Sequence, residues 1–83
     1  MRILYFAWLR EKIGRGEEVF APPAAVTTPR QLIACLRTRG PAYVSAFAHE
    51  ELIRCALDQE FCGLDEALGA AQEIGFFPPV TGG

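Results

Sequence analysis

Concentrated positive charge is the first thing missing. Lysine occurs once, at Lys12, and seven arginines are spread along the chain without forming a stripe, for a net charge of −2. A nucleic-acid partner is recruited by a basic face, so none is expected. Long apolar runs are missing as well. None approaches the roughly 18 residues that suggest a membrane span. The run Ile3-Leu4-Tyr5-Phe6-Ala7-Trp8-Leu9 follows Met1-Arg2 at once and is closed by no small-residue cleavage site. It reads as a buried strand, and the expected location is cytoplasmic, with no membrane partner. Cysteine is sparse and odd in number: Cys35, Cys55 and Cys62 show no CxxC spacing. That argues against a disulfide framework and leaves a zinc or iron–sulfur site without suitably spaced ligands, even with His49 counted as a fourth. Buried free thiols acting as small hydrophobes are the plainer reading, and no metal is expected.

What is present is enough for one domain. The 83 residues are 51% hydrophobic and 22% charged, a balance that folds around one modest core. The apolar share is generous for so small a surface-rich protein. Either it is scattered over the surface in the ordinary way or part of it faces a partner.

The N-terminal run Arg2–Leu9 is apolar on both parities, which predicts a strand buried on both faces in the middle of a sheet. Arg10–Gly16 suits a short helical turn and a reversal. Glu17–Ala21 reads as a second strand, ended by Pro22-Pro23. The clearest helix start is Thr28-Pro29-Arg30-Gln31, with Thr28 as N-cap, Pro29 at the first helical position and Gln31 closing a capping box. Leu32, Ile33 and Leu36 form its apolar stripe with Cys35 beside it, and Gly40-Pro41 stop it. A shorter helix is expected over Pro41–Ala48, with Tyr43 and Phe47 as an i,i+4 pair. Leu52–Asp58 alternates as a third strand, Gln59–Gly69 is turn-rich with room for a short strand and a helical turn around Asp65–Leu68, and Glu73–Phe77 is the last strand. The order β-β-α-β-(β)-β around one main helix predicts an α+β domain with a mixed sheet of four to five strands.

After Phe77 the sequence reads Pro78-Pro79-Val80-Thr81-Gly82-Gly83. Residues 1–77 are therefore expected to be the domain and 78–83 an extended tail. Two prolines favour a polyproline-like exit, and the closing glycines give the chain its smallest cross-section. At roughly 3.3–3.6 Å per residue, six residues span about 20 Å, enough to thread a narrow channel. A frayed terminus is the duller account of a glycine-ended chain.

Two motifs carry a resemblance. Phe6-Ala7-Trp8-Leu9-Arg10-Glu11-Lys12-Ile13-Gly14 resembles the Phe-Ala-x-x-Arg-Glu-x-x-Gly of molybdopterin synthase small subunits, and Phe76–Gly83 resembles their tail. Arg54-Cys55-Ala56-Leu57 and Gly69–Glu73 depart from that family's usual pattern. The resemblance implies a ubiquitin-like β-grasp fold and a sulfur carrier for molybdenum-cofactor biosynthesis. It implies that the Gly83 carboxylate is adenylated by an E1-like activating enzyme using ATP, converted to a thiocarboxylate by a sulfur donor, and delivered to cyclic pyranopterin monophosphate inside the synthase large subunit. No cofactor is expected on the chain itself. Phe6, Phe61 and Phe77 match partner-facing positions of the family, although each could instead fill the core. Ser45 and His49 lie i,i+4, but no oriented base or oxyanion site completes a side-chain active site. Rival expectations are a thiamine-type sulfur carrier, which also ends in Gly-Gly, a ubiquitin-like protein modifier, and a β-grasp interaction module with an inert tail.

Overall fold

A computed structural model describes residues 1–79. Its elements are β1 (Arg2–Tyr5), α1 (Ala7–Ile13), β2 (Glu17–Val19), α2 (Pro29–Arg37), α3 (Pro41–Ala46), a 3₁₀ turn (Glu50–Leu52), β3 (Arg54–Leu57), β4 (Glu60–Cys62) and β5 (Glu73–Phe77). The sheet has five strands in the order β2-β1-β5-β3-β4. β1 and β5 run parallel, and the remaining neighbours are antiparallel. This is the α+β, β-grasp arrangement expected above. α2 is the longest helix of its covering layer, and the shorter α3 packs against both α1 and α2.

The expected first strand, Arg2–Leu9, stops at Tyr5. Ala7 takes a left-handed conformation (φ 52°) and Ala7–Ile13 winds as α1 until Gly14, at φ 89°, turns the chain. Leu9 then enters the core with Trp8 and Ile13 packed beside it. A short run that is apolar on both parities fits a buried strand and a buried helical turn equally, which is why periodicity alone misplaces this boundary. β1 is also buried on one face only: Ile3 and Tyr5 point in, Arg2 is exposed and Leu4 half-buried.

α2 starts as its sequence dictates. Thr28 Oγ1 accepts from the Gln31 N–H at 3.2 Å. The return bond lands one residue early, however: Gln31 Oε1 accepts from the Thr27 N–H at 2.7 Å, not from Thr28. Leu32, Ile33 and Leu36 are fully buried, and Cys35 is half-buried beside them. α3 ends at Ala46, two residues short of expectation. Tyr43 and Phe47 both reach the core, where each meets the Tyr5 ring edge-on, at centroid distances of 6.4 and 6.3 Å. Phe76 closes the stack against Phe47 at 5.3 Å.

The third strand is shorter than Leu52–Asp58, but its alternation holds, with Ile53 and Cys55 buried and Leu52 and Arg54 exposed. Asp58 and Gln59, both at positive φ (47° and 71°), make a two-residue reversal of the kind that matches strand twist, and β4 pairs straight back. No helical turn forms around Asp65–Leu68. A simple turn holds that stretch, and the Leu68 N–H bonds to the Thr27 carbonyl at 2.8 Å, drawing Leu68 into the core. β5 has the predicted bounds.

One polar cluster fastens the helical layer to the sheet. Glu18 on β2, its side chain 5% exposed, accepts from the hydroxyls of Tyr5 and Tyr43 and from Arg39, each at 2.7 Å. Arg15 adds a bond at 3.4 Å. Burial alone would push the Glu18 carboxyl up, but the donors from Tyr5, Tyr43 and Arg39 outweigh it and hold the group below the usual carboxylate range. Burial and the same carboxylate push the Tyr5 hydroxyl above the ordinary phenol value. Among the described residues, no helix is long and apolar enough to cross a membrane and no group of three His, Cys, Asp or Glu side chains could hold a metal ion.

Candidate functional site: the open face of the sheet

Strand alternation sends every second residue away from the helices, and the register lines those residues up. Leu4 on β1 lies opposite Gly75 on β5, Gly75 opposite Ala56 on β3, and Ala56 opposite Phe61 on β4. Two small residues in the middle of this row leave a trough between bulky flanks, a shallow depression of about 290 Å³.

On one flank stands Phe6, which follows β1 rather than lying within it. Its N–H donates to the Phe76 carbonyl at 3.1 Å, and its ring lies across Gly75. A Cβ at residue 75 would sit 3.1 Å from the Phe6 ring edge, closer than ordinary packing permits, so only glycine lets the ring rest on the strand. Phe6 is nevertheless 48% exposed. On the other flank, Phe61 is 83% exposed and tilts against the half-buried Phe77, with ring centroids 5.5 Å apart. Aromatic rings left exposed along an apolar trough are a common mark of an interaction surface. The Arg2–Glu73 ion pair borders the trough at one end, with Glu17 3.8 Å from the same guanidinium.

All three sequence-selected phenylalanines thus lie on one face, away from the core. Phe6 and Phe77 border the depression itself, and Phe61 reaches it through Phe77. Gly75, Ala56 and Leu4 were not singled out in the sequence. A glycine inside a strongly apolar strand is the signal that marks such a close approach, and Gly75 carried it. Ser45 is tied loosely to Lys12 at 3.4 Å and His49 faces Glu51 at 3.5 Å, so these two side chains are engaged apart from one another.

β5 occupies the centre of the sheet and delivers the chain to Pro78 and Pro79, both half-buried. Val80, Thr81, Gly82 and Gly83, the remaining residues of the expected tail, lie outside the described residues. Residues 3–83 match the ThiS family. The chain belongs to that family. Two relatives resemble it from end to end: the molybdopterin synthase sulfur carrier subunits of Escherichia coli (strain K12) and Haemophilus influenzae are 34% and 36% identical over 84 and 87 aligned residues. Both alignments cover all of this chain and 99% of the relative. The crystal structure of small archaeal modifier protein 1 from Haloferax volcanii superimposes with a TM-score of 0.74 at 27% identity, covering 96% of this chain and 97% of that one. The open trough belongs to a ThiS-type β-grasp domain with a half-buried proline exit beside it.

Proposed function

We propose that this ThiS-family chain is the sulfur-carrying small subunit of a molybdopterin synthase, and that its working group is the carboxylate of Gly83. The observation that carries this is the alignment of the whole chain, Gly82-Gly83 included, with two curated sulfur carrier subunits of nearly equal length. A carboxylate resists substitution, so it must first be activated. An E1-like partner joins it to the AMP part of ATP, releasing pyrophosphate. A sulfur donor then displaces AMP and leaves the thiocarboxylate, an ionised nucleophile. The large subunit receives the tail of residues 78–83, and the thiocarboxylate attacks cyclic pyranopterin monophosphate there. ATP is consumed by the activating enzyme, and the chain itself holds no cofactor in this scheme.

The trough supplies what the tail alone lacks. Ordering a free chain costs about 1–2 kcal/mol per residue, and more for glycine. Covering Phe6, Phe61 and Phe77 with an apolar surface of the large subunit offsets that cost. A thiamine-type role finds less support, because the curated relatives named above are molybdopterin synthase subunits. The modifier reading has one specific observation in its favour, the solved relative whose name is a modifier protein.

Intact mass decides the chemistry. Incubated with its activating enzyme, ATP and a sulfur donor, the chain is expected to gain about 16 Da, the difference between sulfur and oxygen in a thiocarboxylate. Deleting Gly83 is expected to abolish that gain and leave the thermal midpoint unchanged. Sulfur delivery to the pterin precursor by the truncated chain overturns the proposal. Isopeptide-linked conjugates that depend on Gly83 favour the modifier reading instead.

A further inference from the structure

Two of the three cysteines meet across the β3–β4 hairpin. Cys55 and Cys62 are directly opposed in register, and their Sγ atoms lie 3.2 Å apart. Opposed residues of an antiparallel pair have Cα atoms about 4.5–5.5 Å apart, inside the range a disulfide accepts. Closing the bond requires the sulfurs to approach from 3.2 Å to about 2.0 Å, a change on the scale of side-chain adjustment.

The two thiols differ in access. Cys55 is 1% exposed, and burial, with the hydrogen bond to Cys62, pushes its thiol up to about 12. Cys62 is half-buried and borders a second depression, of about 500 Å³, on the helical side of the hairpin. Arg30, Arg54, Glu50 and Glu51 border it too. Arg30 is paired with Asp65 and Glu50, whereas Arg54 donates to the backbone carbonyls of Glu51 and Ile53. Cys35 lies apart on α2.

We propose that Cys55 and Cys62 form a redox-active dithiol that closes reversibly to a cross-strand disulfide by exchange with a low-molecular-weight disulfide. The Cys62 thiolate attacks one sulfur of the small disulfide and expels one thiolate, leaving a mixed disulfide on Cys62. Cys55 loses its proton, attacks Cys62 Sγ and expels the second thiolate. The protein loses two thiol protons and two electrons, and the small disulfide takes up both pairs to become two thiols. This site is independent of the terminal carboxylate and of the sulfur-carrier reading.

The probe is glutathione disulfide, applied to the full-length chain in glutathione buffers of graded ratio. The expected product is lighter by about 2 Da, shows a Cys55–Cys62 link in a non-reducing peptide map, leaves Cys35 free, and reverts with dithiothreitol. Cys55→Ser is expected to stop at a stable Cys62 adduct of about +305 Da, and Cys62→Ser to leave Cys55 unmodified. In the wild-type chain, closure is expected to slow amide exchange across β4 roughly tenfold, a readout that needs no variant to fold. A wild-type chain that retains the Cys62 adduct, reacts first at Cys35, or fails to react at all overturns the proposal.

Discussion

The two faces of the sheet are cut from the same strands, residue by residue, and they do opposite things. Facing the helices, Ile3, Tyr5, Cys55, Ile74 and Phe76 are at most 1% exposed. Facing outward, Leu4, Gly75, Ala56, Phe77 and Phe61 make a trough whose aromatic rim stays in contact with water. Phe76 and Phe77 show the contrast most sharply, adjacent in the chain and on opposite sides of β5. Burying a large apolar side chain stabilises a fold by about 1.5–3 kcal/mol. On the inner face that energy has already been gained, whereas on the outer face much of it is still available to a partner. Alternation with period two thus lets one short segment build the core and the candidate docking surface together.

The contrast breaks most visibly at Phe76. Phe76→Ala removes a fully buried ring from its stack on Phe47 and is expected to cost about 3–5 kcal/mol, read from urea denaturation. A loss below about 1 kcal/mol contradicts the division of roles between the faces.

Next comes Glu18→Gln, which keeps the shape and removes the charge that Tyr5, Tyr43 and Arg39 surround. A loss of about 1–3 kcal/mol is expected at neutral pH. Because the folded carboxyl is held below its unfolded value, the unfolded chain binds the proton first as pH drops. Its stabilisation is full above the unfolded value of about 4.3 and is lost as pH falls through the folded one. The glutamine variant is expected to lack that component of the acid slope.

A smaller effect is expected at Gly75. Gly75→Val forces the half-exposed Phe6 ring off the strand, with a stability change within about 1 kcal/mol, because the ring can swing into solvent. If the open face docks the large subunit, affinity is expected to fall roughly tenfold, measured by calorimetry. Phe61→Ala sharpens the comparison from the other end. Its effect on folding is expected to stay within about 0.5 kcal/mol, while binding weakens 10-fold or more. Unchanged binding in both variants removes the trough from the docking surface.

Local signals carried much of the architecture. Thr28-Pro29 marked the start of α2 because a cap and a pre-set φ are written in two residues, and Glu73–Phe77 stood out between turn-rich and proline-rich neighbours. The β1–α1 boundary did not stand out, because it depends on a left-handed backbone at Ala7, which no alanine announces. The Cys55–Cys62 pair stayed hidden for a related reason. Their meeting depends on the register set by a two-residue reversal at Asp58-Gln59, and neither residue is the glycine that usually flags one. The three phenylalanines were legible by resemblance, but the trough between them emerges only when four strands are aligned side by side.

The place of β5 in the sheet has a mechanical consequence. It is hydrogen-bonded to β1 on one side and β3 on the other, and the chain leaves it at Pro78. A pull along that strand loads both ladders in shear, so many bonds share the force and must fail together. Tension applied at an outer hairpin such as β4 would instead unzip bonds one by one. A partner that grips this protein by its C-terminal end is tugging on its most force-resistant strand.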